Sequence, residues 1–318
     1  MPPSSISSPA RPLAPGASLV SEPPRQDYDG TIVEIHDTGS GVRIFRVEPD
    51  RTIDGFAAGR YLSVGRGYGE PRFDGRRVEV PEARRHRVVS RPYSLSSTLV
   101  TRGRIHDPTD RNLLEFFIAL VDPPPGDPPA ELTPKLWATR PGDRVRLGRR
   151  IVGAYTLEPV DPDSDVLLLS TGTGEAPHNA MVNELARNGH RGRVTVLSTA
   201  RHRHDFAYLR QHWRLEELWP NYTYVPLPTR DPYDGVKRRV QDILCHPERA
   251  LLLGFEPHPD RTHVFLCGNP AMVAPPEWHD DEPHFATTGG AIELLHHQGF
   301  TLDRSGHPPG NVHFEAFW

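Results

Sequence analysis

Cysteine is nearly absent from this chain: two residues in 318, Cys245 and Cys267. That scarcity excludes a disulfide scaffold, and it excludes an iron–sulfur cluster held by the chain's own thiolates, which takes about four. A reducing cytoplasm is the expected compartment. No apolar run approaches the roughly 20 residues of a membrane span. Neither a Gly-x-Ser-x-Gly elbow nor a Walker loop occurs. The pairs His202/His204 and His296/His297 have no third ligand at metal-site spacing, so no metal is expected. The net charge is only −4 and no nucleic-acid-binding motif accompanies the basic stretches, so nucleic acid is not the expected partner.

What is present fits a soluble two-domain protein, with 36% hydrophobic and 25% charged residues. Residues 1–25 are rich in Pro, Ser and Ala without an apolar stretch, and read as a disordered tail, not a signal peptide. Over residues 26–158, short β-rich runs alternate with Gly/Pro/Asp turns: Thr31–Ile35, Val42–Val47, Tyr61–Val64, Arg87–Ser94, Leu113–Val121 and Arg144–Leu147. Their spacing predicts a small antiparallel β-barrel. Within it, Thr133 as N-cap and Pro134 at the first helical position predict a short helix. The character changes after a linker at Glu158–Asp165. Continuous apolar strands at Val166–Ser170, Val194–Ser198, Tyr222–Leu227 and His263–Cys267 alternate with helical patterns. Residues 159–318 are therefore expected to form an α/β domain around a parallel sheet.

Charge is unevenly spread. Eight arginines stand between Arg66 and Arg91 against four acids, and five more lie between Arg140 and Arg150 against Asp143 alone. These stretches are either a solvated face or a docking surface for an acidic protein.

Three segments carry chemistry. In Thr171-Gly172-Thr173-Gly174-Glu175-Ala176-Pro177, Gly172 and Gly174 let the backbone approach a diphosphate at a helix start, where free N–H groups and the positive dipole end bind anions. The third glycine of the dinucleotide fingerprint is replaced by Pro177. Beyond the next strand, Arg201 or Arg203 stands where an acid would select a ribose 2′-hydroxyl, so a 2′-phosphate is expected; Arg230 and Arg239 could close the same pocket. Cys267, at the end of a buried strand, opens Cys267-Gly268-Asn269-Pro270-Ala271-Met272.

Together with Arg91-Pro92-Tyr93-Ser94, Leu132-Thr133-Pro134-Lys135-Leu136 and the terminal Glu315-Ala316-Phe317-Trp318, these segments make the chain resemble the ferredoxin–NADP reductase family, and within it the bacterial ferredoxin/flavodoxin–NADP reductase branch. The resemblance runs from about Tyr28 to Trp318. It implies an FAD-dependent enzyme that passes hydride between NADPH and flavin N5, and single electrons to or from ferredoxin or flavodoxin. It further implies that Arg91 binds the flavin diphosphate, that Tyr93 lies along the isoalloxazine and that Ser94 places its hydroxyl near N5. Thr133 would cap the flavin phosphate, with Ala130 standing where the family usually has glycine. Gly172, Thr173 and Gly174 would cradle the NADP(H) diphosphate, and Arg201, Arg230 and Arg239 its 2′-phosphate. Cys267 would sit beside the nicotinamide, Glu315 near the flavin as a charge-tuning or proton-relay group, and Phe317 and Trp318 would stack on the flavin and its adenine. Two other readings of the same scaffold stay open: the reductase component of an oxygenase or a free-flavin reductase, and a non-catalytic flavoprotein-like binding module. The segments 66–89 and 274–286 read as insertions without assignable chemistry.

Overall fold

The computed structural model describes residues 28–38, 41–76 and 78–316. The expected tail at 1–25 and the aromatic pair Phe317 and Trp318 lie outside the described residues. In chain order the first half gives β1 (Gly30–Asp37), β2 (Val42–Pro49), β3 (Tyr61–Gly67), β4 (Val88–Ser96), a small ribbon of β5 (Val100–Thr101) and β6 (Arg104–Ile105), β7 (Leu114–Ala119), helix α1 (Thr133–Trp137) and β8 (Arg144–Leu147). Six of these strands close an antiparallel barrel in the order β1-β2-β7-β4-β3-β8. Alternation drives the closure: Phe45 and Val47, Leu62 and Val64, and Phe116 and Ile118 point inward to one core. Trp137 on α1 plugs that core, its ring edge-on to Phe45 at 5.7 Å.

The second half gives β9 (Asp165–Thr171), α2 (Glu175–Arg187), β10 (Val194–Ala200), α3 (Leu209–Leu218), β11 (Tyr222–Pro228), α4 (Val240–Leu244), α5 (Arg249–Leu253), β12 (Thr262–Gly268), α6 (Pro270–Val273), a ribbon of β13 (Glu277–His279) and β14 (Glu282–His284), α7 (Ala291–His297) and β15 (Val312–Ala316). Five parallel strands form a sheet in the order β11-β10-β9-β12-β15. Both faces of the sheet are covered, which is why its strands are apolar throughout and do not alternate with polar residues. Along β9, Leu168 and Val166 face the layer of α2, while Leu167 and Leu169 face that of α4 and α7. The two-domain architecture expected from the sequence is present.

Two local expectations need correction. Thr133 is the first helical residue, not the cap; Leu132 occupies the cap position, and the Thr133 hydroxyl is taken up by the Val121 N–H at 3.0 Å. Of the helical patterns expected between the parallel strands, the one between β10 and β11 resolves into a single 3-10 turn (Arg203–Asp205) and a helix that begins only at Leu209.

The domains are joined by packing as well as by the chain. Ile44 and Phe117 of the barrel form a cluster with Ala176 of α2 and Tyr208. Beneath it, Glu115 on β7 accepts from the Tyr208 hydroxyl (2.9 Å), the Thr98 hydroxyl (2.8 Å) and Arg46 Nε (2.8 Å). A buried carboxylate is costly to strip from water unless it is paired and hydrogen-bonded, and this one is both.

Candidate active site

The sheet register brings the second-half chemistry to one edge. Cys267 at the end of β12 lies beside Ser170 of β9 on one side and Glu315 of β15 on the other. Across the domain boundary, β4 presents Ser94. The hydroxyl of Ser94 and Oε2 of Glu315 are both buried, and neither makes a hydrogen bond. Burial raises the Glu315 carboxyl above its ordinary value, opposed only by the nearby Ser94 hydroxyl. The same burial, reinforced by the Glu315 charge, pushes the Cys267 thiol well up. Cys267 is therefore a thiol, not a thiolate, and is unsuited to nucleophilic attack.

Behind Cys267 sits a buried pair that the sequence reading missed. The Tyr155 hydroxyl meets His178 Nε2 at 2.8 Å. Burial lowers the imidazole pKa to about 3, so it is neutral, and its Nδ1 has no partner. Next to it, Asn179 Oδ1 is also buried without a partner. Four orphaned polar atoms in one boundary region, on Ser94, His178, Asn179 and Glu315, are unusual, because native interiors pair nearly all such groups.

Two glycines lock the turns that flank this region. A Cβ on Gly174 would stand 2.2 Å from the Cys267 carbonyl oxygen. Gly268 has φ +129°, and a Cβ there would meet Thr171 Oγ1 at 2.3 Å. The Asn269 N–H donates to that same hydroxyl oxygen at 2.6 Å. The turn after β9 and the turn after β12 therefore interlock. Gly172, by contrast, faces open space at φ +54° and leaves the start of α2 accessible. Thr173 between them is half-buried.

Glu175 anchors this turn from below. Its carboxylate is buried and accepts from His212 Nε2 (2.8 Å) and from the Tyr224 hydroxyl (2.9 Å), while His212 Nδ1 pairs with the Tyr222 hydroxyl (2.6 Å). Only the carboxyl-bearing residue itself is visible in the motif; its partners lie on α3 and β11.

Arg201, Arg230 and Arg239 are exposed at the ends of β10 and β11 and the start of α4. The Arg230 N–H donates to the Arg201 carbonyl at 2.8 Å, tying the first two loops together. Arg203 is committed elsewhere. Its guanidinium lies 4.5 Å from the Tyr233 ring and donates to the Asp231 and Pro232 carbonyls at 2.7 and 2.6 Å. Of the two alternatives, Arg201 is the free one.

On the barrel side, Arg91 is exposed and its Nη2 pairs with Glu131 at 2.8 Å. Tyr93 is half-buried against the barrel core, and burial pushes its hydroxyl above the usual tyrosine range. The arginine-rich stretch is less free than its composition suggests. Arg66 pairs with Glu70, Arg72 with Asp74, Arg76 with Asp122 and Arg144 with Asp50. Arg87, Arg140, Arg149 and Arg150 are exposed without an ion-pair partner among the described residues. Also among the described residues, no group of three or more His, Cys, Asp or Glu side chains could hold a metal ion, and no helix is long and apolar enough to cross a membrane.

Comparison with known proteins shows what the sequence and the fold are similar to. Residues 168–275 match the family model of the oxidoreductase NAD-binding domain. A flavodoxin/ferredoxin–NADP reductase of Buchnera aphidicola is 22% identical over 232 residues, 72% of this chain and 81% of that protein. The Escherichia coli protein of the same name is 28% identical over 163 residues, which span 50% of this chain and 63% of the relative. Among solved structures, a ferredoxin NADP+ reductase from Neisseria gonorrhoeae with bound FAD and NADP superimposes with a TM-score of 0.66 at 18% identity, covering 91% of this chain and 97% of that one. An Amycolatopsis cytochrome P450 reductase shares the fold at a TM-score of 0.60 and 19% identity, over 91% of this chain and 69% of that one. Residues 168–275 thus match an oxidoreductase NAD-binding domain, and barrel, parallel sheet and sequence likeness make the whole chain similar to the flavodoxin/ferredoxin–NADP reductases.

Proposed function

We propose that this chain is an FAD-dependent reductase that exchanges hydride with NADPH and single electrons with ferredoxin or flavodoxin in a reducing cytoplasm. The observation that carries the reading is the convergence of Ser94, Cys267 and Glu315 from three strands and two domains, with two of the three polar groups unpartnered. Bound FAD would supply the acceptor for the hydride of NADPH and would return the two electrons singly. The chain's own residues supply position and charge. Ser94 offers a hydroxyl toward a flavin edge, and Glu315, its carboxyl raised above the ordinary range by burial, stands beside that hydroxyl. Cys267 gives a compact, uncharged wall against which a nicotinamide ring can rest. The start of α2 at Gly172–Gly174 fits a diphosphate, and Arg201, Arg230 and Arg239 fit a 2′-phosphate, which guanidinium groups bind two oxygens at a time. Arg91 fits the flavin diphosphate once released from Glu131, and Tyr93 presents a ring beside it. Thr133 contributes its backbone N–H at the start of α1. Phe317 and Trp318 would cover the flavin and its adenine.

For the acceptor, the basic surface around Arg87, Arg140, Arg149 and Arg150 favours an acidic partner, steered by charge that salt screens over about 8 Å at physiological ionic strength. Acid extraction of the purified yellow protein should release FAD. NADPH-driven reduction of ferredoxin or flavodoxin should slow as salt rises. Recovery of FMN alone, or acceptor reduction indifferent to salt and to charge reversal at Arg149 and Arg150, would defeat the reading of cofactor or partner respectively.

A further inference from the structure

Arg91 already holds an anion, and its Nη1 donates to the Ser90 carbonyl at 3.0 Å. In the structure its Nη2 holds Glu131 Oε2 at 2.8 Å, while Arg84 Nη1 stands 3.9 Å from the other carboxylate oxygen, Oε1. The two arginines differ in what carries them. Arg91 sits on β4 of the barrel. Arg84 belongs to the 66–87 segment, where its guanidinium lies 5.8 Å from the Tyr68 ring. That segment is fastened to the stretch that contains Glu131. Lys135 Nζ donates to the Tyr68 and Glu70 carbonyls (2.7 and 2.9 Å), Arg72 to the Ala130 carbonyl (2.7 Å), and the Phe73 N–H to the Pro134 carbonyl (2.8 Å). Arg84 and Glu131 are thus linked by contacts that do not pass through Arg91.

We infer that Glu131 is an internal stand-in for the flavin diphosphate, and that Arg84 receives Glu131 when Arg91 turns to the cofactor. The inference rests on the reading of Arg91 as a diphosphate ligand. Without the hand-off, a carboxylate left unpaired beside a dianion would oppose loading. With it, the carboxylate is neutralised by a guanidinium that is already 3.9 Å away. Arg84 and Glu131 are positioning residues here, acting through Arg91, and they give the segment read as an insertion at 66–89 a role in cofactor loading.

The test is titration of flavin-stripped full-length protein with FAD, followed by quenching of flavin fluorescence, which reads binding without turnover. Glu131→Gln should tighten FAD by about three- to fivefold, as suits an exposed ion pair, and the gain should shrink at high salt. Arg84→Ala should weaken FAD several-fold when Glu131 is present and should change nothing when combined with E131Q. Arg91→Ala should weaken FAD in every background. If E131Q leaves FAD affinity unchanged while R91A weakens it, the stand-in is refuted and the reading of Arg91 survives. If R84A weakens FAD equally with and without E131Q, Arg84 is a direct ligand and the hand-off is wrong. If R91A has no effect, the reading of Arg91 itself fails.

Discussion

Replacing Gly174 by alanine should damage both stability and nucleotide binding, and the structure says by how much. The backbone at Gly174 has φ −60° and ψ −14°, which any residue adopts, so the effect is steric and not conformational. The added methyl would lie 2.2 Å from the Cys267 carbonyl oxygen, 2.5 Å from its carbon and 2.8 Å from Gly268 N, all backbone atoms. These belong to β12, held between β9 and β15 and unable to retreat. The turn must therefore move by roughly 1 Å, a displacement that can lower a rate on the order of 100-fold. Overpacking of this kind costs about 1–3 kcal/mol. At about 2–4 °C per kcal/mol for a domain of this size, the melting temperature should fall by about 2–12 °C. Gly172→Ala is the control. Nothing lies within 4 Å of its Cβ position, so only the left-handed backbone penalty of about 1–2 kcal/mol remains. Differential scanning fluorimetry and NADP⁺ titration on both variants test this. G174A with wild-type melting and affinity would show that the two turns do not interlock as described.

Glu175→Ala should destabilise by about 1–3 kcal/mol for each group it orphans among His212 and Tyr224, read by urea unfolding, and E175Q should lose much less because the amide oxygen still accepts. His178 carries an acid liability. Its folded pKa is about 3 against 6.5 for an ordinary histidine, so below 6.5 the unfolded chain takes up a proton that the folded one refuses, and stability falls with pH by about 1 kcal/mol between 6.5 and 5.5. His178→Gln, which can still pair with Tyr155, should flatten that part of the stability–pH curve. Arg201→Ala should narrow the preference for NADPH over NADH by roughly ten- to hundredfold, from a lost charged hydrogen bond of about 1.5–3 kcal/mol, whereas Arg203→Ala should leave nucleotide preference unchanged. Michaelis constants for both nucleotides decide it.

Much of the fold was legible because its signals are local. Alternation along β2 and β7 and the unbroken apolar runs of β9 and β10 mark which faces are buried, and the strands appear where those patterns lie. β15 was not foreseen as a strand. Val312–Ala316 includes His313 and Glu315, and its pairing with β12 depends on residues some fifty positions earlier. The anchoring of Glu175 escaped for the same reason, since its partners His212 and Tyr224 lie 37 and 49 residues away. Thr133 looked like a cap because Thr-Pro opens many helices, but the Val121 N–H takes its hydroxyl first. Composition hid the pairing of the arginines: part of a run of positive charge in sequence became, in space, a set of ion pairs with Glu70, Asp74, Asp122 and Glu131.

The most direct measurement is anaerobic mixing of the FAD-loaded protein with one equivalent of NADPH while the flavin absorbance band is followed, with NADH in a parallel syringe. Rapid bleaching by NADPH, markedly slower bleaching by NADH, and recovery of the band on adding oxidised ferredoxin or flavodoxin are the expected results. A yellow protein whose spectrum stays unchanged with both nucleotides would contradict the reductase reading and leave a flavin-binding module in its place.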